Sequence, residues 1–100
     1  MNFKTISKDE ITVTNAAVVT LASGTLGAIP AAATGCIIQV RDAPVSEWHD
    51  GSTPTTTAGM VWNPPGFYKL TTKDDMTNFK VIATTATNAL LSVSYEGLGV

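Results

Sequence analysis

The sequence predicts an all-β protein, a single β-sandwich or small barrel of about seven or eight short antiparallel strands. Sixteen of the 100 residues are threonine, and β-branched side chains suit a pleated sheet better than a helix. Short apolar runs alternate with a period of two residues, whereas the 3.6-residue period of an amphipathic helix is not sustained. Turn signals separate the runs at intervals of about 8–12 residues, which is typical of a sandwich or a small barrel.

The length favours one domain, and the composition divides the chain into three parts. We expect an N-terminal arm over residues 1–8, the sandwich over residues 9–96 and a C-terminal tail over residues 97–100. The arm is interpreted as a polar, mobile segment that orders on a partner. Residues 11–40 carry no charged side chain, but three glycines and a proline interrupt them. A membrane span, and hence a membrane partner, is therefore not expected.

Local signals place the elements inside the sandwich. Pro44 lacks the donor that a sheet ladder needs, so the run after it is interpreted as an edge strand. Pro65 followed by Gly66 indicates a type II turn with a positive φ at the glycine. Thr72 can cap one short helical turn, and residues 25–35 are expected to be irregular. Strands are expected over residues 11–14, 17–22, 36–41, 45–48, 58–62, 67–71, 79–83 and 90–95.

The alternation also predicts which side chains share a face of each strand. Side chains at every second position share a face, and the residues between them point the other way. The sets predicted to share a face are Ile11 and Val13; Cys36, Ile38 and Val40; Phe79, Val81 and Ala83; and Leu91, Val93 and Tyr95. On the clearest strand, the opposite face carries Ile37, Gln39 and Arg41.

Charge and cysteine content exclude several classes of function. Charged residues make up 14% of the chain, against about 25% in average proteins, and the net charge is −2. Nucleic acid is therefore not expected as a partner. One cysteine and one histidine leave no internal disulfide and argue against a Cys/His metal site. The acidic pairs at residues 9–10 and 74–75 lack the spacing of an EF-hand and are interpreted as solvated, so no metal or cofactor is predicted.

Catalytic sets are equally sparse. His49 stands beside Asp50, but neighbours on a strand point to opposite faces, so the pair is a weak base–acid candidate. Cys36 lies in an apolar strand and is interpreted as a small core residue. We therefore expect that the protein is not an enzyme.

The candidate binding residues are apolar or aromatic. The uncharged segment over residues 16–35 and the aromatic residues near turns are the two best candidates for a subunit contact. Two other interpretations are that the aromatic side chains form an exposed platform for a saccharide, or that they fill the core. The candidate interface residues are Trp48, Trp62, Phe67, Leu21, Leu26 and Ile29; the platform would consist of Trp48, Trp62, Phe67 and Tyr68, with Tyr95 contributing.

Residues 36–95 contain several short motifs in a fixed order. They are Cys36-Ile37-Ile38-Gln39-Val40-Arg41-Asp42-Ala43-Pro44-Val45, Trp48, Asp50-Gly51-Ser52-Thr53-Pro54-Thr55, Gly59, Phe79-Lys80-Val81-Ile82-Ala83 and Leu91-Ser92-Val93-Ser94-Tyr95. In this order and spacing the chain resembles small virion structural proteins of tailed bacteriophages. In those proteins an apolar-Arg-Asp-Ala-Pro-Val strand end leads to an Asp-Gly-x-x-Pro-Thr turn, and a later Asn-Phe-x-x-Ile-Ala run precedes a last strand that ends in an aromatic residue.

The resemblance implies a non-enzymatic virion protein with a β-sandwich or jelly-roll fold. The expected role is that of a capsid decoration or cement protein, a homo-oligomer that contacts the major capsid protein or another virion protein. Its expected location is the virion, assembled in the cytoplasm of the host bacterium. Two alternatives stay open: a tail, fibre or head–tail module, and a carbohydrate- or receptor-binding module. The latter is considered because residues 50–55 are similar to a turn in immunoglobulin-like accessory modules of bacterial sugar-active enzymes.

Overall fold

The computed structural model describes residues 3–98. These residues form eight strands, a 3₁₀ helix and a short α-helix. The strands are β1 (Phe3–Val13), β2 (Val19–Thr20), β3 (Gly35–Arg41), β4 (Val45–Trp48), β5 (Met60–Trp62), β6 (Phe67–Leu70), β7 (Lys80–Ala83) and β8 (Ala89–Leu98); the 3₁₀ helix is Leu21–Ser23 and α1 is Lys73–Asn78.

The strands form two antiparallel sheets of four. The first sheet has the order β1-β8-β3-β6 and the second sheet has the order β2-β7-β4-β5. Pairing is nested along the chain, because β1 pairs with β8, β2 with β7, β3 with β6 and β4 with β5. A long antiparallel ribbon rolled into two sheets in this way is a jelly roll. The all-β prediction is confirmed, and the pairing identifies the sandwich as a jelly roll.

The core lies between the two sheets and follows the predicted alternation. The four sets predicted to share a face are all buried, so each forms the core-facing side of its strand. The second sheet adds Val45, and α1 adds Met76, whose side chain is inaccessible to solvent. The predicted cap is also present, since the Thr72 hydroxyl accepts a hydrogen bond of 3.1 Å from the Asp75 backbone N–H.

A stack of aromatic rings closes the sandwich where β5 passes to β6. Trp62 lies parallel to Tyr68 with ring centroids 4.3 Å apart, and Phe79 packs against Trp62 at 5.4 Å. The connecting turn is closed by a hydrogen bond of 2.8 Å from the Gly66 N–H to the Asn63 carbonyl. The peptide bond between the two prolines is cis. The predicted type II turn is wrong: the turn runs from Asn63 to Gly66 with the two prolines at its centre, and Gly66 does not have the predicted positive φ.

The predicted arm is wrong for the residues that the structure describes. Residues 3–8 belong to β1, where Phe3 pairs with Leu98 and Lys8 pairs with Ser94. A register shift between Thr5 and Ser7 interrupts the ladder, so the sequence of this strand lacks an unbroken period of two. Residues 97–98 of the predicted tail continue β8, while residues 1–2 and 99–100 lie outside the described part of the chain.

Two strand predictions also need correction. The predicted edge strand, β4, lies inside the second sheet between β7 and β5. Pro44 precedes this strand and removes no ladder bond from it; its carbonyl accepts a hydrogen bond from the Thr84 N–H. The strand expected over residues 17–22 is reduced to the two residues of β2, after which the chain turns into the 3₁₀ helix.

Candidate functional site: a sheet groove and an exposed edge

The structure separates the predicted interface residues into buried and exposed groups. Leu21 and Trp62 belong to the core, and Ile29 packs against it. Leu21 and Trp62 are therefore wrong as surface contacts, because they fill space between the sheets, whereas Ile29 is only partly buried and its role in an interface stays a prediction. Trp62 is buried by its stack on Tyr68, a contact that the sequence does not reveal.

The remaining predicted residues reach the surface. Phe67 is 70% exposed and Leu26 is 45% exposed, while Trp48 is half-buried at the end of β4. The four-ring saccharide platform does not form, since Trp62 and Tyr95 are buried and Tyr68 packs against the core. Of the five aromatic side chains in this set, Phe67 is the most exposed to solvent.

A groove of about 500 Å³ lies on the outer face of the first sheet. Its floor contains the small side chains of Ser92 and Ser94 on β8. Longer side chains rise on both flanks: Lys8 and Glu10 on β1, and Ile37 and Gln39 on β3, with Phe67 beyond them on β6. The groove exists because a strand with short side chains lies between strands with long ones. Its volume is within the usual range of ligand sites.

Register aligns four of these side chains in one row. Gln39 pairs with Phe67 on one side and with Ser92 on the other, and Ser92 pairs with Glu10. Neighbouring strands lie about 4.8 Å apart, so the row presents an aromatic ring, an amide, a hydroxyl and a carboxylate at regular intervals. Such a row offers both apolar contact and several hydrogen-bonding groups to one ligand.

A buried carboxylate fixes the loop at one end of the groove. Asp9 Oδ1 accepts hydrogen bonds from the Thr25 hydroxyl at 2.6 Å and from the Thr25 backbone N–H at 2.9 Å. Burial raises the pKa of Asp9, but these bonds and those from the Glu10 and Leu26 N–H groups outweigh it and leave the pKa below its ordinary value. The interpretation of Asp9 as a solvated acid is therefore wrong. Asp9 positions Thr25, which lines the groove.

The edge of the second sheet presents a different kind of surface. On β5, Met60 is 52% exposed and Val61 is 55% exposed. Consecutive strand residues point to opposite faces, so the strand exposes apolar surface on both. Because β5 spans only three residues, a partner would contact it mainly through side chains, and few backbone hydrogen bonds could form to an added strand. The exposure of these residues was not predicted, because a short apolar run indicates a strand but does not show whether that strand lies at the edge of a sheet.

A buried carboxylate paired with a partly exposed histidine lies near the other end of β4. Glu47 is completely buried, and both of its carboxylate oxygens lie 3.1 Å from His49 Nδ1. The His49 side chain is 42% exposed. Burial raises the pKa of Glu47, His49 lowers it in part, and the negative charges of Asp50 and Asp75 add to the rise. His49 is therefore paired with Glu47, and its sequence neighbour Asp50 instead accepts the Ser52 N–H.

We expect the free energy of unfolding to fall as pH rises above about 4.5, because the folded state holds the Glu47 proton more tightly than the unfolded chain. Glu47→Gln keeps the shape and removes this titration. The variant should gain stability relative to wild type as pH rises from 4 to 7 in urea denaturation. Glu10→Gln, which changes an exposed carboxyl, is the matched control. If the stability difference between Glu47→Gln and wild type stays constant across this pH range, Glu47 does not contribute the predicted pH dependence.

Cys36 lies in the core, as predicted, and is inaccessible to solvent. Burial raises the pKa of its thiol to about 12, which keeps it protonated at neutral pH. Among residues 3–98, no three His, Cys, Asp or Glu side chains converge as metal ligands would. No helix within the same residues has the length and apolar character to cross a membrane.

Comparison of the chain with known protein families, with curated proteins and with solved structures finds no match. The fold and these surfaces together describe a jelly-roll β-sandwich with a groove of mixed polar and apolar lining on one sheet and an apolar edge on the other.

Proposed function

We propose that the protein is a non-enzymatic structural component of a tailed-bacteriophage virion, a capsid decoration or cement protein that acts as a homo-oligomer. The resemblance of residues 36–95 to small virion proteins suggests this role, and the jelly roll is compatible with it. Jelly rolls occur in viral capsid proteins and in lectins, but fold alone does not assign function.

The observation that carries the proposal is the apolar edge at Met60 and Val61, each more than half exposed. A cement protein performs no reaction and needs surface that is inexpensive to remove from water. Homo-oligomer contacts are more apolar than the general surface, and specific interfaces bury on the order of 1,600 Å². With 14% charged residues, the chain has few groups whose desolvation would oppose such a contact.

The first test is whether the chain is part of a particle. Phage particles released by host cells in which the chain is expressed are banded on a density gradient and analysed by quantitative mass spectrometry. We expect the chain at many copies per particle, and labelled antibody should mark the head. Finding it only in the unassembled fraction would rule out a virion component; labelling of the tail would replace decoration with a tail role.

The second test concerns the surface. Val61→Lys places a charge on the apolar edge, and we expect it to reduce particle-bound copies at least about tenfold, as a buried unpaired charge does. Thr87→Lys adds the same charge on an exposed loop residue and should leave incorporation unchanged. Equal incorporation of the two variants would show that this edge is not the contact.

A further inference from the structure

We propose that the groove on the outer face of the first sheet binds a neutral saccharide. This inference goes beyond the proposed structural role and does not depend on it. It rests on the groove geometry and on the chemistry of the row Phe67, Gln39, Ser92 and Glu10.

Hydrogen bonding favours a ligand rich in hydroxyl groups. Within the described chain, Ser94 Oγ is engaged with Thr5 Oγ1 at 3.1 Å, and Asp9 is engaged with the loop. Among the side chains that the structure describes, none forms a hydrogen bond with the Gln39 amide, the Ser92 hydroxyl or the Glu10 carboxylate, and all three residues line the groove. An apolar partner laid over them would leave these groups desolvated without compensation. A ligand that donates and accepts along its length satisfies them.

The aromatic ring favours a ligand that also has an apolar face. Phe67 is 70% exposed, and its ring lies beside Gln39 across the ladder. A pyranose ring has a face of C–H groups and a rim of hydroxyl groups. It therefore packs on the Phe67 ring while its hydroxyls reach the amide and the serine, which a fatty chain or a simple ion does not do.

Charge decides between saccharides. The groove is lined by Lys8 on the positive side and by Asp9 and Glu10 on the negative side. This balance offers no cationic surface to a phosphate, a sulfated polymer or a nucleic acid. A neutral oligosaccharide is the class that fits both the charges and the hydrogen-bonding groups.

Saturation-transfer NMR and calorimetry test the proposal with cellohexaose, maltohexaose and chitohexaose as neutral probes and polygalacturonate as the anionic comparison. We expect transfer to ring C–H protons of at least one neutral probe. Phe67→Ala and Gln39→Ala should each weaken that binding about tenfold, the loss of one good contact. Val61→Ala, an exposed apolar truncation on the second sheet, should leave it unchanged.

Several results would overturn the proposal: no transfer to any neutral probe, tighter binding of polygalacturonate, or binding that survives both groove substitutions. Dissociation of an oligomer by Phe67→Ala in sedimentation would show that a second copy occupies the groove. Particle incorporation, measured with Val61→Lys, is a separate readout. The saccharide site and the virion role can therefore fail independently.

Discussion

Replacing Phe79 with alanine is expected to lower the free energy of unfolding by about 3–5 kcal/mol, the usual cost of emptying a buried aromatic site. Phe79 is completely buried and packs against Trp62, whose own ring is stacked on Tyr68. Its loss removes the base of the stack that closes the sandwich between β5 and β6. Domains of this size are stable by on the order of 5–15 kcal/mol, so the variant should unfold at a much lower urea concentration.

Phe67→Ala is the matched control, because it makes the same chemical change on a side chain that is 70% exposed. It should alter stability by less than about 0.5 kcal/mol. Should Phe79→Ala fail to fold, Phe79→Leu gives a smaller loss of about 1–2 kcal/mol that is still measurable. Similar losses for Phe79→Ala and Phe67→Ala would contradict the assignment of one ring to the core and the other to the groove.

The strands that form the core were predictable because side chains alternate between the two faces of a strand, so apolar residues at every second position mark the buried face. On β8, burial of one face selects Leu91, Val93 and Tyr95, and the serines between them face the groove. The same rule located β3 and β7. It failed on the first half of β1, where the irregularity after Thr5 breaks the alternation on which the rule depends.

The surfaces were less predictable because exposure depends on partners distant in the sequence. Trp62 and Phe67 are both aromatic and lie on either side of the same turn, yet Trp62 is buried and Phe67 is exposed. The difference arises because, in the folded chain, Trp62 packs against Tyr68 and Phe79. Asp9 is a similar case, since its donors on Thr25 lie 16 residues away. Local pattern carries no information about either contact.

Replacing Asp9 with alanine is expected to lower the free energy of unfolding by about 2–3 kcal/mol, because several hydrogen bonds to a charged acceptor are lost and their donors are left without an acceptor. Asp9 is 4% exposed and receives N–H groups of Thr25 and Leu26 together with the Thr25 hydroxyl. The Asp9 carboxylate lies directly against the backbone of Gly24, since a methyl group on Gly24 would collide with it. Gly24→Ala should therefore weaken the same anchor from the loop side.

Glu10→Ala, on the neighbouring exposed residue, is the control and should change stability little. Hydrogen exchange gives a local readout: the Thr25 and Leu26 amides should lose protection in Asp9→Ala while the core of β8 keeps it. If protection is instead lost equally throughout the chain, Asp9 stabilises the whole fold and does not specifically anchor this loop.

The pH dependence of the same anchor has the opposite sign to that of Glu47. Because the pKa of Asp9 is lowered in the folded state, the ionised carboxylate contributes stability above its ordinary pKa of 3.8. That contribution is lost as pH falls through the lower folded value. Asp9→Asn removes the charge at every pH, so the gap between wild type and variant should narrow on acidification from pH 5 to pH 2. A gap that stays constant over this interval would mean that the charge of Asp9 is not what holds the loop, and that the shape of the side chain suffices.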